Sequence, residues 1–144
     1  MSRPPPDTRD CYAAFETITT RWMDNDVYSH VNNVVYYSWF DTAVNAYMVR
    51  EGALSLESPQ VVCLVVETGC RYFKPISFPD IVQCGLRVAH LGTSSVRFEI
   101  GIFRNDENGA SAQGHFVHVA CDAAAHKPVA MPHEMRAALE KLKR

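Results

Sequence analysis

Two carboxylates, a histidine and two asparagines lie together just before a run of aromatic and apolar residues. The stretch reads D-N-D-V-Y-S-H-V-N-N, with Asp24, Asp26, His30, Asn32 and Asn33 as its polar members. A carboxylate beside a helix N-terminus can attack a substrate or activate water while backbone N–H groups stabilise the developing negative charge. The same residues also suit simple turn formation and helix capping, so local chemistry leaves both interpretations open.

The elements around this stretch predict a strand before it and one long helix after it. Residues 12–22 have β-like composition, and Asn33 to about Arg50 carries apolar residues at helical spacing, with Gly52 as a suitable stop. Four further β-rich runs follow, at residues 61–73, 80–91, 94–105 and 110–123. A short amphipathic helix that begins with Pro132 ends the series.

The order of these elements predicts an α+β fold in which a curved antiparallel sheet of about five strands wraps around the long helix. We expect residues 12–144 to form one domain behind a loose N-terminal leader, residues 1–11. The helix is apolar around most of its circumference, at Val34, Val35, Tyr36, Tyr37, Trp39, Phe40, Val44, Tyr47 and Met48. One sheet face does not cover such a helix, and the sheet has open edges, so we expect a homodimer that can pair again into a tetramer.

Composition argues against several classes of protein. Fourteen basic and sixteen acidic residues nearly balance, and no basic run is longer than the terminal K-L-K-R, which argues against a nucleic-acid surface. No apolar run approaches the ~18–20 residues of a membrane span. The first residues lack the apolar core of a signal peptide, which favours a cytoplasmic protein.

Cysteine and histidine spacing gives no metal site. The five cysteines are widely scattered without a C-x-x-C pair, which indicates free thiols rather than disulfides or a zinc site. His115 and His118 are three residues apart in a predicted strand and therefore face opposite sides of the sheet. We expect neither a metal nor a cofactor.

Several segments resemble the 4-hydroxybenzoyl-CoA thioesterase-like acyl-CoA thioesterases, which have the hot-dog fold. D-N-D-V-Y-S-H-V-N-N-V-V-Y-Y-S-W-F-D is similar to their D-x-D-x-x-G-H-V-N-N-x-x-Y-x-x-Y-x-E pattern. V-E-T-G-C-R-Y-F-K-P-I-S-F-P-D from Val66, A-Q-G-H-F-V-H-V-A-C-D from Ala112, and the terminal proline with its helix follow in the family order. The resemblance implies a long helix wrapped by an antiparallel sheet, in dimers or tetramers whose active sites use both protomers.

The resemblance also implies roles for individual residues. The second aspartate of D-x-D is Asp26, which in this family is the nucleophile or general base. The helix-start amide that polarises the thioester carbonyl falls at Asn33. Three more family positions line or shape the site, namely His30, Asn32 and Tyr36.

The chain departs from the family pattern at two positions. Ser29 replaces the usual glycine, so the turn before His30 is expected to bend differently. Val44 stands where relatives often carry an arginine after the helix acid, which is Asp41 here. Neither change removes Asp26 or the helix N-terminus.

The activity implied by the resemblance is hydrolysis of an acyl or aromatic acyl thioester of CoA or acyl carrier protein, with the thioester as substrate. A thioester carbonyl gains little resonance stabilisation from sulfur, so one carboxylate and one oxyanion site suffice. The phosphates of CoA would need basic residues, for which the candidates are Lys74, Arg97 and Lys127. Two alternatives stay open: a hot-dog hydroxyacyl-thioester dehydratase and a non-catalytic acyl-binding dimer.

Overall fold

One antiparallel sheet, one long helix and one short helix account for most of the regular structure. The computed structural model describes residues 3–57 and 59–144. In chain order the elements are β1 (Ala14–Thr19), α1 (Asn33–Arg50), β2 (Val61–Tyr72), β3 (Ile81–Leu91), β4 (Ser95–Arg104), β5 (Ala112–Asp122) and α2 (His133–Glu140). Two 3-10 turns, Arg9–Cys11 and Trp22–Asp24, flank β1. The predicted α+β class and its antiparallel sheet are confirmed.

The five strands lie in the order β1-β3-β4-β5-β2, and every neighbouring pair is antiparallel. The consecutive strands β3, β4 and β5 form the centre. Strands β1 and β2, which α1 connects, lie at opposite edges of the sheet. Edge strand β2 has a run of exposed residues from Leu64 to Thr68. The open edge predicted from the sequence is therefore present on β2.

Helix α1 has the predicted bounds because both of its ends are marked in the sequence. The side chain of Asn32 accepts a hydrogen bond from the Val34 N–H at 3.1 Å, which caps the first turn. At the other end Gly52 has φ of 72° and its N–H donates to the carbonyl of Val49. Neither α1 nor any other helix within residues 3–57 and 59–144 is long and apolar enough to cross a membrane.

The core lies between α1 and the inner face of the sheet. Phe40 from the helix and Phe98, Ile100 and Ile102 from β4 are fully buried there. A Cβ atom at Gly114 of β5 would lie 2.3 Å from Cζ of Phe40, so the helix docks directly onto backbone at this point. This close contact fixes the height of α1 above the sheet and thereby the position of its N-terminus.

The N-terminal segment packs on the opposite, outer face of the sheet. The Ala110 N–H donates to the carbonyl of Asp7 at 2.9 Å, and the Arg87 guanidinium donates to the Asp7 carboxylate at 2.9 Å. The Tyr12 ring covers Gly85 and Gly101, where a Cβ atom would come within 2.8 and 2.6 Å of it. Asp7, within the segment expected to be a loose leader, is thus bonded to the sheet, and the paired glycines leave room for the Tyr12 ring that follows it. Met1 and Ser2 lie outside the described residues.

Candidate active site

Asp24 organises the turn that leads into α1. Its carboxylate is buried and accepts hydrogen bonds from the Arg21 N–H at 2.8 Å and from the Arg21 guanidinium at 2.8 and 3.0 Å. Its backbone carbonyl accepts from the Asn32 N–H at 2.9 Å. Both oxygens of the carboxylate are therefore engaged in holding the turn.

Asp26 lies in the same turn but is partly exposed. Its N–H donates to the carbonyl of His30, and its carbonyl accepts from the N–H of Ser29. These two hydrogen bonds close the loop. Carboxylate oxygen Oδ1 accepts from the Tyr28 N–H at 2.8 Å. Unlike Asp24, Asp26 forms none of the ion pairs found in the described part of the chain. Its position is fixed through the backbone, while its charge is left without a cationic partner.

Ser29 has a backbone conformation that glycine adopts more readily than other residues. Its φ is 63°, in the left-handed region, and its carbonyl accepts a hydrogen bond from the Ser77 hydroxyl at 2.7 Å. Glycine adopts this φ without steric cost, which is consistent with glycine being usual at this position of the family pattern. A side chain here costs about 1 kcal/mol relative to glycine.

The N-terminus of α1 presents a free backbone donor at Asn33. The neighbouring N–H groups of Asn32, Val34 and Val35 bond to Asp24 or to Asn32 itself. The Asn33 N–H makes no hydrogen bond within residues 3–57 and 59–144. Its carbonyl accepts from the Tyr72 hydroxyl at 3.1 Å, which ties this first turn to strand β2. Asn33 thus offers an oriented N–H at the positive end of the helix.

A cleft of about 450 Å³ brings five of the eight predicted site residues together. They are Asp26, His30, Asn33, Tyr36 and Lys74. The cleft also contains residues that sequence reasoning did not assign to the site, namely Tyr28, Val31, Tyr72, Phe73 and Pro75. Tyr72, Phe73 and Pro75 belong to the second resembling segment, and Tyr28 and Val31 belong to the first, so the two segments were the available signal for them. Asn32 is not among the lining residues, because its side chain caps the helix.

Two tyrosines form the wall of the cleft below the helix N-terminus. The rings of Tyr36 and Tyr72 meet edge to face with centroids 4.9 Å apart. Burial raises the pKa of Tyr36 to about 12 and raises the pKa of Tyr72 further. Both phenols therefore stay neutral at physiological pH. They supply an apolar surface beside Asp26 rather than additional charge.

The three predicted basic residues differ in position. Lys74 lies at the cleft, where its ammonium contacts Glu107 at 3.1 Å. Arg97 instead lies on the outer face of the sheet, with the carboxylates of Glu67 and Glu99 at 3.7 and 3.3 Å. Lys127 follows β5, where its carbonyl accepts from the N–H of Asp122. Of these three residues, only Lys74 lines the same cleft as Asp26 within one protomer.

The cysteines and metal-binding residue types do not form a second centre. All five cysteines are free. Burial raises the pKa of both Cys63 and Cys70 to about 11, which keeps these thiols protonated. In the described ranges, no three side chains of His, Cys, Asp or Glu are grouped so that they could hold a metal ion.

Known proteins of similar sequence and structure share this architecture. A family model for the thioesterase-like superfamily matches residues 20–139. The PA5185 protein of Pseudomonas aeruginosa is 47% identical, with a TM-score of 0.95 over 96% of this chain and 97% of that chain. The PA2801 protein of the same species is 29% identical, with a TM-score of 0.83 over 89% and 98%.

More distant similarities extend to one solved structure and one further sequence. Slr0204, a 1,4-dihydroxy-2-naphthoyl-CoA thioesterase from Synechocystis, has a TM-score of 0.80 at 16% identity, over 89% of this chain and 96% of that chain. The Bacillus subtilis protein YsmA is 21% identical over 85 residues, which span 59% of this chain and 57% of its own length. The family match covers most of the chain, and the resemblance seen in the sequence is confirmed. The protein therefore belongs to the thioesterase-like superfamily and has the hot-dog fold.

Proposed function

We propose that this protein hydrolyses acyl-CoA thioesters, with Asp26 as the catalytic carboxylate and the Asn33 N–H as the oxyanion donor. The observation that carries the proposal is that both residues line one cleft, where, within residues 3–57 and 59–144, the Asp26 carboxylate has no cationic partner and the Asn33 N–H has no acceptor. A carboxylate and an uncommitted helix-end N–H are the two components that thioester hydrolysis requires. Membership of the thioesterase-like superfamily supports the same reaction class.

The reaction follows from this arrangement. The substrate carbonyl oxygen accepts a hydrogen bond from the Asn33 N–H. Asp26 either removes a proton from a water that attacks the carbonyl carbon, or attacks that carbon itself. In the first route, the tetrahedral oxyanion collapses, the carbon–sulfur bond breaks, and the thiolate takes back the proton from Asp26. In the second route, the bond from Asp26 to the carbonyl carbon forms as the carbon–sulfur bond breaks, which gives a mixed anhydride and the free thiolate. Water then cleaves the anhydride to the acid and the Asp26 carboxylate, and a proton from that water goes to the thiolate. Both routes use the same donor for the oxyanion.

We further propose that two copies pair along the exposed edge of β2. The sequence predicts a dimer from the apolar circumference of α1 and from the open sheet edges, yet Tyr36, Trp39 and Phe40 are covered within one protomer. Exposed apolar residues concentrate in the turn, at the start of α1 and on β2, namely Trp22, Met23, Val27, Tyr28, Val34, Leu64, Val65 and Val66. Others are scattered over the surface, at Phe15, Val49, Leu56, Phe78 and Ile81. Exposed apolar surface beside an unpaired strand edge favours association with a second strand.

The exposed run on β2 suggests the register of this pairing. The run from Leu64 to Thr68 is centred on Val66. Antiparallel pairing about that residue would bring the Tyr72 end of one strand beside the partner subunit's Val61. Since Tyr72 lines the cleft, the partner would close its open side. The partner's Lys127, which lies close to its own Asp122 and Val61, would then join Lys74 near the phosphates of CoA.

A panel of acyl and aroyl thioesters of CoA and acyl carrier protein tests the activity. Release of free thiol at a rate proportional to enzyme concentration is expected for at least one class. Conversion of a 3-hydroxyacyl thioester to its enoyl form without thiol release would instead identify a dehydratase. Saturable binding without either reaction would identify an acyl-binding dimer. Size measurements at low micromolar concentration test the pairing, and a fully active monomer would contradict it.

A further inference from the structure

A second cavity lies between the C-terminal half of α1 and the inner face of the sheet. Its volume is about 200 Å³, somewhat more than the ~150 Å³ of engineered apolar cavities that bind benzene. The cavity is lined largely by apolar side chains, including Val44, Met48, Leu54, Val96, Phe98 and Leu139. A ring or a short run of methylene groups fits this volume and this lining.

One polar side chain, His118 of β5, belongs to the wall of this cavity. It is 4% exposed, and its ring meets the rings of Phe98 and Phe116 at centroid distances of 5.3 and 4.5 Å. Its Nε2 atom has no hydrogen-bond partner among the described residues. Burial lowers the pKa of His118 to about 4, so the imidazole is neutral at physiological pH. Most buried polar atoms are partnered, which makes this nitrogen unusual.

The other side-chain donors around the cavity are already engaged. The Asn45 amide donates to the backbone carbonyl and the carboxylate of Asp41 at 2.8 and 3.1 Å. The Cys63 thiol points to the sulfur of Met135 at 3.6 Å. His118 therefore provides the polar contact that a ligand in this cavity would find unused.

Within one protomer, the cavity and the cleft lie at opposite ends of α1 and do not join directly. Asn33 lines the cleft and Asn45 lines the cavity, which places them about 18 Å apart at the helical rise. Phe40, packed on Gly114, fills the space between them. The cavity also contains Val62 and Cys63 of β2. In the dimer proposed above, those residues would lie beside the partner subunit's Cys70 and thus next to the partner's cleft.

We propose that this cavity binds the far end of an acyl group held in the partner's cleft, and that His118 favours acyl ends bearing one hydroxyl group. A hydroxyl both donates and accepts, so it can bond an imidazole nitrogen of His118 in either neutral tautomer of the ring. An unsubstituted acyl end would leave the imidazole unpartnered, and a carboxylate would lose its hydration among apolar walls. The assignment rests on the proposed function for the source of the ligand.

Binding of p-cresol and toluene to the native protein tests the cavity without requiring turnover. These probes differ by one hydroxyl and can be titrated by NMR against the imidazole signals. In the wild type, p-cresol should bind more tightly than toluene. In His118→Leu the ratio of the two dissociation constants should fall about tenfold, because the hydroxyl loses its partner. The variant should fold, since an apolar side chain of similar size replaces an unpartnered polar one.

His115→Leu is the matched control, because His115 lies on the same strand but faces the outer side, where it contacts Glu67. This variant should keep the wild-type ratio. An unchanged ratio in His118→Leu, or failure of both probes to bind the wild type, would overturn the proposal.

Hydrolysis of 4-phenylbutanoyl-CoA and its para-hydroxy analogue then links the cavity to the reaction. The wild type should prefer the hydroxylated thioester, and His118→Leu should lose that preference. If neither thioester is hydrolysed while the p-cresol preference depends on His118, hydrolysis fails and the cavity assignment stands. If turnover is normal and His118→Leu changes neither preference, the cavity assignment fails alone.

Discussion

The turn before α1 and the outer face of the sheet both concentrate charged residues, but they use them differently. On the outer face, Arg87 bonds to Asp7 and Glu99, each at 2.9 Å, so these three charges satisfy one another. In the turn, Asp24 has such a partner, whereas within residues 3–57 and 59–144 Asp26 has no ion-pair partner and the Asn33 N–H has no acceptor. The same residue types thus stabilise the fold in one region and remain available for chemistry in the other.

Arg87→Ala tests whether the outer-face charges stabilise the fold without contributing to catalysis. Loss of the guanidinium leaves two carboxylates and the Tyr12 ring without their shared partner. We expect the free energy of unfolding to fall by about 2 kcal/mol, with kcat/KM of the folded protein unchanged. Denaturant unfolding and initial rates measure the two effects.

Arg71→Ala provides the control for this variant. Arg71 lines the same outer recess but forms no ion pair within residues 3–57 and 59–144. Its loss should leave stability nearly unchanged. A large drop in kcat/KM for either variant would place chemistry on the outer face and remove the contrast.

Tyr72→Phe tests whether strand β2 holds the helix N-terminus in place. The change removes the hydrogen bond to the Asn33 carbonyl but keeps the ring against Tyr36. We expect about 1 kcal/mol less stability and a several-fold loss in kcat/KM. Wild-type values for both quantities would show that this bond does not position Asn33.

Ser29→Gly should have a smaller effect of opposite sign. Glycine adopts φ of 63° without the steric cost that serine bears, although it gains freedom in the unfolded chain. The melting temperature should rise, corresponding to about 0.5 kcal/mol. A lower melting temperature would show that the serine side chain contributes more than its strained backbone costs.

Cysteine alkylation should have the smallest effect on catalysis. The turn contains no cysteine, and the thiols of Cys63 and Cys70 are protonated at neutral pH. Treatment of the native protein with a small alkylating reagent should leave the hydrolysis rate unchanged. Loss of activity before any loss of structure would reveal a thiol that the account has missed.

The sequence predicts the local features of the molecule well. The bounds of α1 follow from apolar spacing, the capping residue Asn32 and the stop at Gly52, all of which act within a few residues. Asp26 and Asn33 are brought together for the same reason, since one short turn contains both. Features that a single segment determines can be recognised before the fold is known.

Long-range register explains what the sequence does not reveal. The Tyr12 ring fits against the sheet because Gly85 pairs with Gly101 across β3 and β4. Neither glycine alone predicts this contact from the sequence. The position of Arg97 on the outer face also depends on strand pairing rather than on composition. Alternation predicts that His118 faces away from His115, but not that its Nε2 would lack a partner.

The most direct test of the account compares Asp26→Asn with Asp24→Asn in hydrolysis of the best thioester of the panel. Asp26→Asn should keep the wild-type melting temperature and lower kcat/KM by about 10²–10⁴-fold, because it removes the catalytic charge while preserving shape. Asp24→Asn should lower the melting temperature, since it weakens the bond to Arg21, while the folded protein keeps most of its activity. The reverse outcome, with Asp26→Asn nearly fully active and Asp24→Asn inactive though folded, would contradict the assignment of Asp26.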